Sequence, residues 1–335
     1  MTQKTWRGTF TGNPNKIEAV YGGGRRQTVE SLVDIRPSFI PPAAIDEHLR
    51  ELAEVEVLFG TWGMPKFTPE QLDAMPRLRA VFYAAGSVRN FARPLLERGI
   101  VVASSWAANA IPVAEFTLAQ ILLSMKRYFR NTLLATSPEG YGMKGEPPIP
   151  GIFDETVALL GAGMIGRKVI ELLKPFELDV VVYDPFLSEE RAAELGVAKV
   201  SLEDAFKTAF VVSNHIANLP ETCGMIKPEH FESMREGATF INTGRGATVD
   251  EPGMANVLAR RTDLTALLDV THPEPPQTGS PLYSLPNVQL SSHIAGSIGN
   301  EVMRMADYAI QSFKDWRDGK PLEYGVTLEM LEWMA

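Results

Sequence analysis

The chain of 335 residues is long enough for two domains, and its 45% hydrophobic and 22% charged residues exclude disordered, collagen-like and coiled-coil classes. The 32 Lys and Arg against 41 Asp and Glu leave a net charge of −9, which opposes nucleic acid and anionic membrane surfaces as partners. The single cysteine, Cys223, permits no intrachain disulfide, no apolar signal core follows the N-terminus, and no run of 18 uncharged apolar residues occurs, so a reducing, cytoplasmic setting is expected.

The first hundred residues alternate β-branched runs with helical stretches, the pattern of parallel strands joined by crossover helices. Strands are predicted over residues 16–21, 55–60, 79–84 and 100–104, with helices over 25–33, 45–52, 68–75 and 94–98 between them. Ala114, Leu118, Ile121, Leu122 and Met125 then recur at helical spacing and predict one long helix over about 109–131. Residues 137–151 hold four prolines and four glycines and read as a connecting loop. A second alternating series follows. Strands are predicted over 156–160, 178–183, 210–215, 239–243, 264–270 and 288–292, and helices over 164–174, 188–195, 202–208, 252–260 and 301–318. The last helix is expected to pack back on the first unit.

Three groups of residues carry chemistry. In Gly161-Ala162-Gly163-Met164-Ile165-Gly166 the glycines have Gly-x-Gly-x-x-Gly spacing, directly after an apolar strand and before a helix. That context suits a tight turn at Gly161, close approach of a pyrophosphate at Gly163, and helix-to-strand packing at Gly166, with the anion on the helix N-terminus. The next strand ends at Asp184, 18 residues beyond Gly166, where a carboxylate accepts from adenosine ribose hydroxyls and repels a 2′-phosphate. NAD is therefore expected rather than NADP. His215 ends a later strand near the same pyrophosphate and is expected beside the cofactor.

The third group lies on three successive strand ends. Ile241-Asn242-Thr243-Gly244-Arg245-Gly246 delivers an arginine, Leu268-Asp269-Val270 is followed by Glu274, and Ser291-Ser292-His293 delivers a histidine. Ligands bind at this carboxyl edge of such sheets. A histidine can exchange the proton of a carbonyl undergoing hydride transfer, a carboxylate can tune it, and an arginine can clamp a substrate carboxylate. Asp269 is placed to bond either a nicotinamide carboxamide or Arg245. His48 and His230 lie in polar helical stretches and are expected at the surface, and His272 as an ordinary loop residue. No metal-ligand spacing is present.

These motifs, in this order, resemble the D-isomer-specific 2-hydroxyacid dehydrogenase family over nearly the whole chain. The resemblance implies catalytic roles for Arg245, Glu274 and His293, and NAD contacts from Asp184, Thr243 and Asp269. It implies two doubly wound parallel-sheet α/β domains, a Rossmann NAD-binding domain (108–299) inserted into a discontinuous flavodoxin-like substrate domain (1–107 and 300–335), with the site in the cleft between them. A small 2-keto or 2-hydroxy acid is the expected substrate and a homodimer the expected assembly. With 335 residues, the additional regulatory module of long phosphoglycerate dehydrogenases is not expected. The family's glycine-rich substrate loop corresponds to Ala85-Gly86-Ser87-Val88-Arg89-Asn90-Phe91, which has one glycine and no Asp, and Gly86 and Ser87 are the expected substrate contacts. Ala217 and Leu219 replace the usual Pro and Thr after His215, and Trp62 and Trp106 occupy candidate cleft loops. Competing readings on the same scaffold are an NAD(H)-sensing corepressor and a formate- or phosphonate-type dehydrogenase. The latter is disfavoured because formate-type members pair the histidine with an amide, whereas Glu274 is a carboxylate.

Overall fold

A computed structural model describes residues 5–142, 146–147 and 149–333. It divides into two compact units, unit 1 being Met1–Asn109 with Ser297–Ala335 and unit 2 being Ala110–Gly296.

Unit 1 is built on five parallel strands: β1 (Trp6–Thr11), β2 (Val33–Ile35), β3 (Val57–Gly60), β4 (Ala80–Tyr83) and β5 (Val101–Ser104). Their order is β2-β1-β3-β4-β5, the flavodoxin-like order. β3 and β4 are unbroken buried runs, as expected of strands covered on both faces. Gly8 lets β1 lie flat between its neighbours, because a Cβ there would sit 2.9 Å from both Val33 and Val57 side chains. Phe59 is the hub of an aromatic core, 5.7 Å from Phe10, 5.6 Å from Phe82 and 5.5 Å from Phe313. Phe313 belongs to helix Val302–Arg317, so residues from both ends of the sequence fill one core. The following segment extends along β5, with Ser104 N–H donating to Tyr324 O at 3.1 Å and Val326 N–H to Val102 O at 2.8 Å.

The first forty residues differ from the sequence reading. The stretch expected as a strand at 16–21 is the helix Pro14–Val20, and the first strand is Trp6–Thr11. Asn13 Oδ1 accepts the Lys16 N–H at 3.2 Å and Pro14 occupies the first helical position, so cap and φ preference together set a helix. The helix expected over 25–33 stops at Leu32 and gives way to β2. The one expected over 45–52 is a 3₁₀ turn, Asp46–His48, followed by the short helix Leu49–Leu52.

Unit 2 holds seven parallel strands: β6 (Glu155–Leu160), β7 (Leu178–Tyr183), β8 (Ala198–Lys199), β9 (Val211–Asn214), β10 (Thr239–Asn242), β11 (Thr265–Leu268) and β12 (Val288–Leu290). The order β8-β7-β6-β9-β10-β11-β12 is the doubly wound dinucleotide-fold order with one strand added, and its direction switches between β6 and β9. The two-domain Rossmann arrangement expected from the sequence is thus the observed fold. Phe206, Phe231 and Phe240 fill its core, Phe231 meeting Phe240 edge-on at 5.0 Å. The short β8 and helix Pro228–Ser233 are additional to the sequence reading.

The long helix is Trp106–Met125, shorter than expected; it ends where Arg127 takes a left-handed φ of 48°, and a second helix runs Tyr128–Leu134. Arg127 is 2% exposed and donates to Pro147 O at 2.8 Å and Glu146 at 3.2 Å, while Arg130 pairs with Glu146 at 2.8 Å. These bonds tie part of the expected 137–151 loop to the helix; residues 143–145 and 148 of that loop lie outside the described residues. Among the described helices, Trp106–Met125 is long and apolar enough to cross a membrane by length and composition, but half of its apolar window is buried in the fold and it carries Glu115.

Candidate active site

β6 runs straight into the glycine turn. Gly161 has φ +98°, and a Cβ there would lie 3.0 Å from the His215 carbonyl oxygen. Gly163 has no heavy atom within 4 Å of a built Cβ, leaving an open approach to the N-terminus of helix Met164–Leu173, whose first N–H groups have no side-chain cap. At Gly166 a Cβ would lie 2.0 Å from Gly161 O, so helix and turn meet backbone to backbone. Met164 is exposed beside the open approach, and Ile165 packs on the core.

Asp184 ends β7 and braces this turn. Its Oδ2 accepts the Ala162 N–H and its Oδ1 the Phe186 N–H, both at 2.8 Å. Each oxygen keeps a lone pair for a further donor. His215 follows β9, with Nε2 3.0 Å from Ser213 Oγ and a buried Nδ1 that has no partner. Burial pushes its imidazole down to about 4, so it is neutral near pH 7. An open glycine cradle, uncapped helix N–H groups, a carboxylate at the neighbouring strand end and an orphaned buried nitrogen together fit a dinucleotide.

A second cluster stands on the other half of the same sheet edge. His293 Nδ1 lies 2.7 Å from Glu274 Oε1, both side chains about half exposed. His293 has φ +56°, a left-handed conformation uncommon for a residue with a Cβ. Asp269, 2% exposed at the end of β11, holds it there. Its Oδ1 accepts from Ser291 Oγ at 2.6 Å and Ile294 N–H at 2.8 Å, its Oδ2 from Ala295 N–H at 3.0 Å, and its carbonyl from His293 N–H at 3.0 Å. Asp269 is therefore the anchor of the histidine loop, a role the sequence did not signal, and its oxygens carry no bond to Arg245.

Arg245 follows β10. Its guanidinium Nη1 donates to Gly244 O at 2.8 Å, and burial draws its pKa below the usual arginine value while Glu274 opposes the shift. Gly246 brings this turn against the Glu274 loop, since a Cβ there would lie 2.1 Å from the Thr271 carbonyl carbon. Thr243 is buried with its hydroxyl 3.0 Å from Thr117 Oγ1. The His272 N–H donates to Glu251 at 2.8 Å.

Gly86 and Ser87 lie in unit 1 after β4, with Ser104 Oγ bonding the carbonyls of Ala85 and Gly86 beneath them. Trp62 carries Lys16 Nζ over its ring at 5.6 Å, and Trp106 meets Tyr324 edge-on at 6.3 Å. His230, expected at the surface, is buried instead: its Nδ1 accepts the Lys227 N–H at 2.9 Å and its ring packs on Phe206. It closes the start of helix Pro228–Ser233.

Residues 120–295, more than half of the chain, match the family described as D-isomer specific 2-hydroxyacid dehydrogenase, NAD binding domain. The chain belongs to this family. Its cofactor is NAD, held in unit 2. The chain is 28% identical over 288 residues to a D-3-phosphoglycerate dehydrogenase of Archaeoglobus fulgidus, covering 86% of this chain and 54% of that protein. It is 32% identical over 229 residues to the D-3-phosphoglycerate dehydrogenase of Mycobacterium bovis, covering 68% and 43%. It thus spans about half the length of these relatives. A solved phosphoglycerate oxidoreductase from Rhizobium etli superposes with a TM-score of 0.81 over 97% of this chain and 99% of that one, at 23% identity, a likeness of fold.

Proposed function

We propose that this protein interconverts a small 2-keto acid and the corresponding D-2-hydroxy acid, with NAD as the hydride carrier. The observation that carries this reading is the 2.7 Å His293–Glu274 pair standing at the same sheet edge as Arg245. NAD, when bound, supplies or takes up the hydride. Arg245 clamps the substrate carboxylate and polarises the adjacent carbonyl; its side chain keeps donors beyond the one spent on Gly244. His293 presents Nε2 to the carbonyl oxygen, giving a proton in reduction and taking it back in oxidation. Glu274 fixes the tautomer by accepting from Nδ1. Gly86 and Ser87 are proposed as backbone donors to substrate, with unit 1 as the substrate domain.

A homodimer is proposed as well. Leu123, Tyr128, Leu133 and Phe153 expose apolar surface on unit 2 around the broken long helix, which supports it.

The reaction is tested by following NADH and NADPH oxidation with glyoxylate, hydroxypyruvate, pyruvate and bulkier keto acids. Turnover with at least one acid, preference for NADH, and loss of at least about a hundredfold in kcat on His293→Ala are expected. Inert keto acids alongside tight NADH binding, or full activity of His293→Ala, would remove the reading.

A further inference from the structure

Beneath the Arg245 turn lies a buried amide network that the proposed reaction does not by itself require. Asn214, Asn242 and Thr248 are each 0–1% exposed. Asn214 Nδ2 donates to Asn242 Oδ1 at 3.1 Å and to Thr248 Oγ1 at 2.8 Å, while Asn214 Oδ1 accepts the Ile216 N–H at 3.1 Å. Asn242 Oδ1 also accepts the Gly244 N–H at 3.1 Å, and its Nδ2 donates to Arg245 O at 3.3 Å. Thr248 Oγ1 donates to the same Arg245 carbonyl at 2.8 Å. The guanidinium in turn donates to Gly244 O. The Gly244 N–H and the Arg245 carbonyl are therefore both held, and one side chain on the neighbouring strand, Asn214, links both holders.

The packing allows no easy substitute. A Cβ on Gly244 would lie 3.0 Å from the Asn214 carbonyl oxygen, so the turn rests directly on the backbone carrying that amide. The same side chain steadies Ile216, next to His215 at the proposed cofactor edge. A fully satisfied buried network fixes one geometry, whereas a partly satisfied one leaves unpaired groups away from water.

From this geometry we propose that Asn214 is a positioning residue: its amide, acting through Asn242 and Thr248, sets the direction of the Arg245 guanidinium and hence the affinity for the keto acid carboxylate. The inference rests on the reading of Arg245 as the carboxylate clamp.

The test measures kcat and keto acid KM separately, with NADH affinity by fluorescence, for Asn214→Leu, Asn214→Asp, Thr248→Val and Arg245→Lys in the full chain. Asn214→Leu removes both donors at similar volume and should raise KM about five- to thirtyfold, with NADH affinity changed less than about threefold. Thr248→Val should raise KM in the same sense, and the double variant should cost less than the sum of the two, because they share one network. A purely structural role would lower the melting temperature and the active fraction and leave KM unchanged.

Asn214→Asp keeps the acceptor for Ile216 and turns a carboxylate on Asn242 Oδ1. Burial against that oxygen raises the new group's pKa, so acid restores a donor. The variant-to-native ratio of kcat/KM should therefore climb about fivefold or more from pH 8 to pH 5.5. Should Asn214→Leu fail to fold, Thr248→Val and the Asn214→Asp pH ratio decide alone. Unchanged KM in the folded variants with a flat pH ratio, while Arg245→Lys is severely impaired, overturns the proposal for Asn214. Full activity of Arg245→Lys overturns instead the reading on which it rests.

Discussion

Replacing Asp269 with Asn should disable the enzyme while leaving it folded. The carboxylate gathers three donors, Ser291 Oγ, Ile294 N–H and Ala295 N–H, at 2.6 to 3.0 Å in a site closed to solvent. An isosteric amide keeps one accepting oxygen and turns an NH₂ group on the Ala295 N–H. That exchanges a charge-assisted bond for a donor facing a donor, a loss of about 3 kcal/mol. His293 meanwhile holds a left-handed φ of 56°, which costs on the order of 1 kcal/mol and persists because these bonds outweigh it. Weakening the clamp by about 3 kcal/mol lets the loop relax, and the correctly aimed imidazole falls about a hundredfold in population. Steady-state kcat at saturating NADH and keto acid should drop by that factor, whereas NADH binding, for which the glycine turn and Asp184 are the proposed determinants, should stay within about threefold. Native kcat in a folded Asp269→Asn enzyme with native NADH affinity would refute the argument that the carboxylate positions His293.

Stability should fall on the acid side through His215. Its folded value of about 4 lies below the ordinary 6.5, so the neutral fold is favoured above pH 6.5 and that advantage is lost as pH falls toward 4. The difference between pH 7.5 and pH 5 is at most about 2 kcal/mol, because part of the residue meets solvent. Urea unfolding of native protein and His215→Gln at the two pH values measures it, and identical pH dependence would contradict it. Gly246→Ala places a methyl 2.1 Å from the Thr271 carbonyl carbon, where backbone cannot yield, and should cost about 2 kcal/mol or more in unfolding free energy and much of the turnover. Glu146→Ala leaves the buried Arg127 guanidinium without its carboxylate and should cost about 2 kcal/mol, read as a lower melting temperature. Unchanged melting would show the Arg127–Glu146–Arg130 cluster to be ornamental.

Unit 2 was legible because its strands are apolar runs ending in distinctive residues. The strand expected over 178–183 is observed at the same residues, and Gly161, Asp184, Arg245, Glu274 and His293 all lie at the carboxyl ends of strands β6, β7, β10, β11 and β12. The N-terminal stretch was not, for a local reason. Residues 16–21 place Ile17, Val20 and Tyr21 where a period of two and a period of 3.6 compete, and the deciding Asn13-Pro14 start signal lies just outside. Trp6–Thr11 has few large apolar residues because Gly8 is buried through its neighbours' side chains rather than its own. His230 looked solvent-facing in a polar helix, and its burial depends on Phe206, 24 positions away. The Asn214 network joins residues 28 and 34 positions apart through side-chain amides. No periodicity or motif spacing marks such a link, since it exists only once adjacent parallel strands are in register.

The shared core of unit 1 has a consequence during synthesis. Phe59 and Phe82 are covered in part by Phe313, so the apolar face of β3 and β4 waits for helix Val302–Arg317. All of Ala110–Gly296 leaves the ribosome in between, a delay of roughly 10–40 s at ordinary elongation rates. Unit 2 carries its own core and can close first, while unit 1 remains an open sheet needing protection from aggregation. A released chain truncated after Gly296 should accordingly be protease-resistant in unit 2 and cleaved within the first 109 residues.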